Sequence, residues 1–181
     1  MSNEKIAPIL RRRSIRKFVP GEVTEEEMQL ILEAAMAAPS TRTNDPWRFI
    51  VVRKKERLAE IAEKIPNGKL IAGADVGLVV CGELEASNLF DPTYMLLDCT
   101  AAIENALLAV SQLDLGACWI GINPRLERMA VVREMFNIPS GIVPIAILAI
   151  GHPGEEKPPR TRYNADFIRY EMWANQSEGH E

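Results

Sequence analysis

Arg12-Arg13-Ser14-Ile15-Arg16-Lys17-Phe18 and, further on, Ala38-Pro39-Ser40-Thr41-Arg42-Thr43-Asn44-Asp45-Pro46-Trp47-Arg48-Phe49 are the two stretches from which this chain is best read. In an extended or turn backbone the first puts Arg12, Ser14 and Arg16 on one side and Ile15 on the other. Guanidinium forks flanking a hydroxyl make a cradle for an anion, phosphate above all. A solvated basic face is the competing reading of the same run. In the second stretch, Pro39 ends a helix and Trp47 begins a strand that runs to Val52.

Outward from these stretches the pattern alternates helices and strands. Thr24 followed by Glu25-Glu26-Glu27 predicts a capping box for a helix carrying Met28, Ile31, Leu32 and Ala35. Leu58, Ile61, Ala62 and Ile65 form the stripe of the next helix, closed by Pro66-Asn67-Gly68. Val76 to Cys81 predicts a buried strand, and residues 83–95 an irregular excursion. Asp98 to Leu113 predicts a central helix terminated by Gly116. Cys118-Trp119-Ile120 reads as strand, Asn123-Pro124 as N-cap and first residue of a helix with Met129, Val132, Met135 and Phe136, and Ile142 to Ile150 as the last long strand. After Gly151 a Pro-, Gly- and charge-rich stretch leads to a tail that keeps Phe167, Ile168, Met172 and Trp173, which calls for a covering surface such as a partner subunit. The class is α+β, with residues 1–181 as one domain and 160–181 as its extension.

Composition narrows the function. The chain has 181 residues, 47% apolar and 25% charged, enough to bury a core. Lys and Arg number 21 against 25 Asp and Glu, a net charge of −4, so bulk electrostatics do not favour nucleic acid. The basic N-terminus therefore asks for a local anion. No apolar run is expected to reach the roughly 20 residues of a membrane span, and no signal-peptide pattern follows Met1. Cys81, Cys99 and Cys118 are odd in number and widely spaced, which predicts reduced core thiols, and the expected address is cytoplasmic. With only His152 and His180, the chain is poorly supplied for Ser/His or Cys/His nucleophilic systems or for a metal site. It also lacks the glycine loops of dinucleotide and P-loop sites. Such an enzyme would leave the hard step to a cofactor.

Together the Arg-x-Ser-x-Arg-x-Phe stretch, Ala-Pro-Ser and Pro-Trp-x-Phe resemble the FMN-dependent nitroreductase family. Further matches are Asn67 just before a strand, the helix from Asp98, Leu115-Gly116-Ala117-Cys118-Trp119-Ile120-Gly121, Gly151-His152-Pro153 and Arg160-Thr161-Arg162. The resemblance implies a central mixed β-sheet flanked by helices in an intertwined homodimer, with FMN at the subunit interface. It implies NAD(P)H as co-substrate and ping-pong transfer to an electron-poor small-molecule acceptor such as a nitroaromatic or quinone, with no nucleic acid or membrane involved.

Residue by residue, the resemblance makes Arg12 and its neighbour Arg13, with Arg160 and Arg162, ligands of the FMN phosphate. Ser14 donates to phosphate or ribityl chain, and Arg16 lies by the flavin N1/O2 edge. Pro39, Ser40 and Thr41 line the ring, Asn67 contacts the pyrimidine side, and Trp119, Ile120 and Gly121 pass near the reactive face. Plainer roles stand beside these: surface charge for Arg12 and Arg162, a turn for Asn67, core packing for Trp119 and Cys118, a helix stop for Pro39-Ser40. Thr43 and Asp45 occupy positions where many members carry Asn and Gln, and the 83–95 excursion is short. Alternatives are a flavoprotein with a dedicated substrate, such as a reductive dehalogenase or enal/quinone reductase, and an anionic-ligand or nucleic-acid binding module using the basic arm.

Overall fold

The computed structural model describes residues 4–173. Residues 1–3 and 174–181, including His180 and the last part of the predicted extension, lie outside the described residues. The order of elements is α1 (Ala7–Arg11), β1 (Phe18–Val19), α2 (Glu25–Met36), β2 (Trp47–Val52), α3 (Lys55–Lys64), β3 (Val76–Glu83), α4 (Pro92–Gln112), β4 (Gly116–Gly121), α5 (Leu126–Phe136) and β5 (Ile142–Pro153).

β5 lies at the centre, with β3 on one side, β4 on the other and β2 beyond β3. These strand pairs are antiparallel, β1 pairs with the last two residues of β5, and a parallel bridge between Ser14 and Ala117 makes the arrangement mixed. Period-2 geometry sends Val76, Leu78, Val80, Leu148 and Ile150 to one face, where α2 and α4 cover them. Val79, Cys81, Ile147 and Ala149 point to the other, under α3 and α5. Because both faces are covered, β3 and β5 read in sequence as near-continuous apolar runs, as expected of buried strands.

The capping box forms in both directions: Glu27 N donates to Thr24 Oγ1 at 3.1 Å and Thr24 N donates to Glu27 Oε2 at 2.8 Å. Other boundaries shift. α4 begins at Pro92 instead of Asp98, because Asp91 is its N-cap, accepting from Thr93 N at 2.6 Å, with Pro92 at the favoured first position. The excursion is correspondingly shorter, a single turn at Asn88–Phe90. Gly116 does not terminate α4; the chain turns at Asp114 with φ 56, and Gly116 opens β4. Asn123–Pro124 is a cis peptide in the turn closed by Arg125 N on Ile122 O at 3.0 Å, so α5 starts at Leu126 without a side-chain cap.

One membrane expectation is also corrected. The 21 residues of α4 are long and apolar enough, by length and composition, to cross a bilayer. Here they bury Met95, Cys99, Ile103 and Val110 against α2 and the sheet, and Asn105 Nδ2 donates to Ala34 O at 3.0 Å. That is the place of a core helix, which carries the same apolar signature. The three cysteines are free and buried, and burial pushes the thiols of Cys81 and Cys99 up to about 12, leaving them inert.

Candidate functional site

The basic stretch is held against the edge of β4. The chain leaves α1 at Arg12 with φ −57° and ψ 123°, and Ile15 N donates to Ala117 O at 2.8 Å. Ile15 is buried while Arg12, Arg13 and Ser14 are half-buried and Arg16 exposed, so Ile15 faces away from Arg12, Ser14 and Arg16 as expected, and Arg13 joins them on the cavity side. This close approach requires Gly116, since a Cβ there would lie 2.8 Å from Ile15 Cγ2 and 2.9 Å from its Cβ. Gly116→Ala should therefore push Ile15 off β4 and cost about 1–3 kcal/mol as overpacking does. Chemical denaturation of the purified variant measures it.

The far end of the chain closes the other rim. Past β5, Gly154 N donates to Lys17 O at 2.8 Å, and Glu155 Oε1 accepts from Arg16 N at 2.5 Å and Lys17 N at 3.3 Å. Lys157 Nζ donates to Ser14 O at 2.7 Å and to Glu155 Oε1 at 2.9 Å, and Arg13 Nη1 donates to Pro158 O. Arg160 N then bonds Leu10 O at 3.1 Å. The result is a cavity of about 380 Å³ lined by Ile9, Arg12, Arg13, Ser14, Arg16, Lys157, Arg160 and Arg162. Six cations around one hydroxyl form a concave anion site. Arg12 is steadied by Glu104, Nε to Oε1 at 3.2 Å, and Arg11 stands 3.7 Å from Asp114, so this run is folded into the molecule instead of forming a free basic arm.

Lys157 and Glu155 were not singled out in the sequence, although the run Lys157-Pro158-Pro159-Arg160-Thr161-Arg162 carries a basic signal of its own. The Arg16 amide, followed by the Lys157 ammonium, holds the Glu155 carboxyl well below its usual 4.5, at about 2. A depressed folded-state value means that the unfolded chain binds the extra proton. The contribution is therefore complete above about 4.5 and is lost as pH falls towards about 2. Glu155→Gln should remove this one-proton component, so that melting temperature falls less steeply with acid between pH 4.5 and 2 than in the wild type, as calorimetry across that window would show.

The remaining predicted residues stand apart from this cavity within the chain. Ser40 and Thr41 follow α2 and are half-buried. Ser40 Oγ donates to Asp45 Oδ1 at 2.5 Å and accepts from Asp45 N at 3.1 Å. Thr41 N and Oγ1 both donate to Asp98 Oδ1, at 3.0 and 3.1 Å. Pro39 is exposed beside them. Asn67 is an exposed turn residue with φ 65°, separated from β3 by the short turn Lys69–Gly73 instead of directly preceding the strand. Trp119 is half-buried and Ile120 buried on β4, with Gly121 at its end; Ile120 belongs to the core under α5 and Trp119 packs at the margin of the α4 side.

The model of the Nitroreductase family matches residues 9–83 and 64–152. A protein of Archaeoglobus fulgidus carrying the provisional name NADH dehydrogenase/NAD(P)H nitroreductase is 38% identical over 173 residues, 94% of this chain and 99% of that one. A provisionally named nitroreductase of Desulfovibrio desulfuricans, solved in complex with FMN, superposes with a TM-score of 0.81 at 30% identity, covering 96% of this chain and 100% of that chain. The NADPH:FMN oxidoreductase of Vibrio harveyi, solved with NAD+, superposes with a TM-score of 0.83 at 25% identity, covering 96% and 76%. Fold, order of motifs and extent of match agree: the chain belongs to the Nitroreductase family.

Proposed function

We propose that this chain is an FMN-dependent oxidoreductase that takes reducing equivalents from NAD(P)H and passes them to an electron-poor small molecule. The observation that carries this reading is the convergence of Arg12, Arg13, Arg16, Lys157, Arg160 and Arg162 on one cavity around Ser14. That donor set suits a phosphate monoester, and its size and concavity suit the end of a mononucleotide. FMN, when bound, supplies the hydride chemistry. The chain supplies position and charge: Arg12, Arg13, Arg160 and Arg162 hold the phosphate, Ser14 adds a hydrogen bond, and Arg16 stands where negative charge grows on reduction. Lys157 and Glu155 set the backbone of Ser14–Lys17.

The ring-lining residues Pro39, Ser40 and Thr41 complete the site from the second subunit of a homodimer, which accounts for their separation from the basic cavity within one chain. The apolar tail of the 160–181 extension packs on that partner, and residues 1–181 act as one domain. Three free, buried thiols suit a reducing, cytoplasmic setting.

The purified protein should be yellow, or become so with added FMN, at about one FMN per subunit, and should then oxidise NAD(P)H when a quinone or nitroaromatic is present. Absence of both flavin absorbance and FMN-dependent NAD(P)H oxidation after incubation with excess FMN overturns this function.

A further inference from the structure

Two carboxylates consume the hydroxyl protons of the Ser40–Thr41 corner. A serine or threonine hydroxyl has one hydrogen to give, and an ionised carboxylate can only accept. Ser40 Oγ spends its hydrogen on Asp45 Oδ1 at 2.5 Å, and Thr41 Oγ1 spends its own on Asp98 Oδ1 at 3.1 Å. The backbone N–H of Thr41 is committed to the same Asp98 oxygen at 3.0 Å. What both hydroxyls still offer is lone pairs. Asp98 is 5% exposed and its Oδ2 is buried with no hydrogen-bond partner among the described residues, so Thr41 is the donor that holds this carboxyl. Asp45 itself is exposed, with φ 47°, at the mouth of this corner.

We infer that Asp45 and Asp98 turn the side chains of Ser40 and Thr41 into an acceptor-only wall, which favours ligands presenting N–H or O–H donors over carboxylates. This rests on the reading above that Ser40 and Thr41 line the flavin ring, where an acceptor molecule must lie. A ligand amide finds a partner at the wall, whereas a ligand carboxylate meets lone pairs with no hydrogen to receive. Selectivity of this kind comes as much from the unpaired group of the wrong ligand as from the bond of the right one. Asp45 is the more telling of the pair, because its carboxylate serves Ser40 from the surface and its removal leaves the core intact.

The test uses the FMN-loaded full-length protein and non-reacting probes, benzamide and benzoate, titrated calorimetrically into the oxidised enzyme. The wild type should bind benzamide at least tenfold more tightly than benzoate. Asp45→Gly suits the positive φ and frees the Ser40 hydroxyl to donate, so the preference should fall about tenfold, the worth of one hydrogen bond to a charged group. The kcat/KM ratio for 4-nitrobenzamide over 4-nitrobenzoate should fall in parallel. In a Ser40→Ala background the same Asp45→Gly change should leave the preference unmoved, since the hydroxyl it releases is gone. An equal fall in both backgrounds would mean that the Asp45 charge acts through space alone, and would overturn the proposal. So would a flavin-loaded wild type without the benzamide preference, or an Asp45→Gly variant that keeps it. A wild type that takes up no FMN overturns the functional reading and this proposal with it.

Discussion

Combining Arg12→Ala with Arg162→Ala is expected to weaken FMN binding roughly 10³-fold while leaving the reduction potential of the bound flavin in place. A hydrogen bond to a charged group contributes about 1.5–3 kcal/mol, so two losses amount to about 3–6 kcal/mol, or roughly 10² to 10⁴ in the dissociation constant. The Arg12 substitution also strips Glu104 of the guanidinium 3.2 Å away and leaves a carboxylate facing the phosphate region, which pushes in the same direction. The phosphate carries the same charge in oxidised and reduced cofactor, and only an interaction that differs between the two forms can move a potential. Arg16→Gln should behave in the opposite way. Losing about 1.4 kcal/mol of preference for the reduced form lowers a two-electron potential by about 30 mV. Equilibrium ultrafiltration gives the dissociation constants, and spectroelectrochemical titration at saturating FMN gives the potentials. A potential that moves with Arg12 and Arg162 but not with Arg16 would reverse the two assignments.

Ending the chain at Pro159 is expected to convert the proposed homodimer into a monomer or an aggregate that has lost FMN. Tyr163, Phe167, Tyr170 and Trp173 are 74%, 80%, 80% and 83% exposed in the single chain, an unusual concentration of bare aromatic surface in so short a segment. Aromatic residues are the side chains that most often anchor an interface, at about 2 kcal/mol or more each, so their joint loss should weaken association by well over a thousandfold even if they are not additive. The truncation also removes Arg160 and Arg162, so the full-length Arg160→Ala/Arg162→Ala protein is the needed comparison: it should stay dimeric while holding FMN poorly. Light scattering at several concentrations reads the mass. A truncated chain that remains a flavin-loaded dimer would place the contacts elsewhere, for instance on Leu89, Phe90 and Leu97, which are also exposed.

Much of this architecture was legible from local chemistry. The Thr24–Glu27 capping box, the unbroken apolar runs of β3 and β5, and the opposed sides of Ile15 and its basic neighbours all follow from side chains a few residues apart, where propensity and periodicity act. The start of α4 has a local signal too: Asp91-Pro92 is an N-cap followed by a first-turn proline, although the residues before it show no period to frame it. Gly116 was legible as a glycine but not in its role, since a partner as distant in sequence as Ile15 can only be seen in space.

The sequence by itself determined the longer helices and strands, though not α1 or β1, together with the family resemblance and the two separate basic clusters, because each depends on residues adjacent in the chain. The resemblance already set Arg160 and Arg162 with Arg12; only the tertiary structure decided that Lys157 joins them, and that Glu155 holds the Arg16 and Lys17 amides. The register of β4 on β5 and the Ser14–Ala117 bridge together set the Arg12–Arg16 stretch beside the chain that follows β5, far from it in sequence. The same geometry holds Ser40 and Thr41 on Asp45 and Asp98, away from the basic cavity within one chain. Local propensity carries no term for such distances; the packing of two apolar faces onto one sheet sets them.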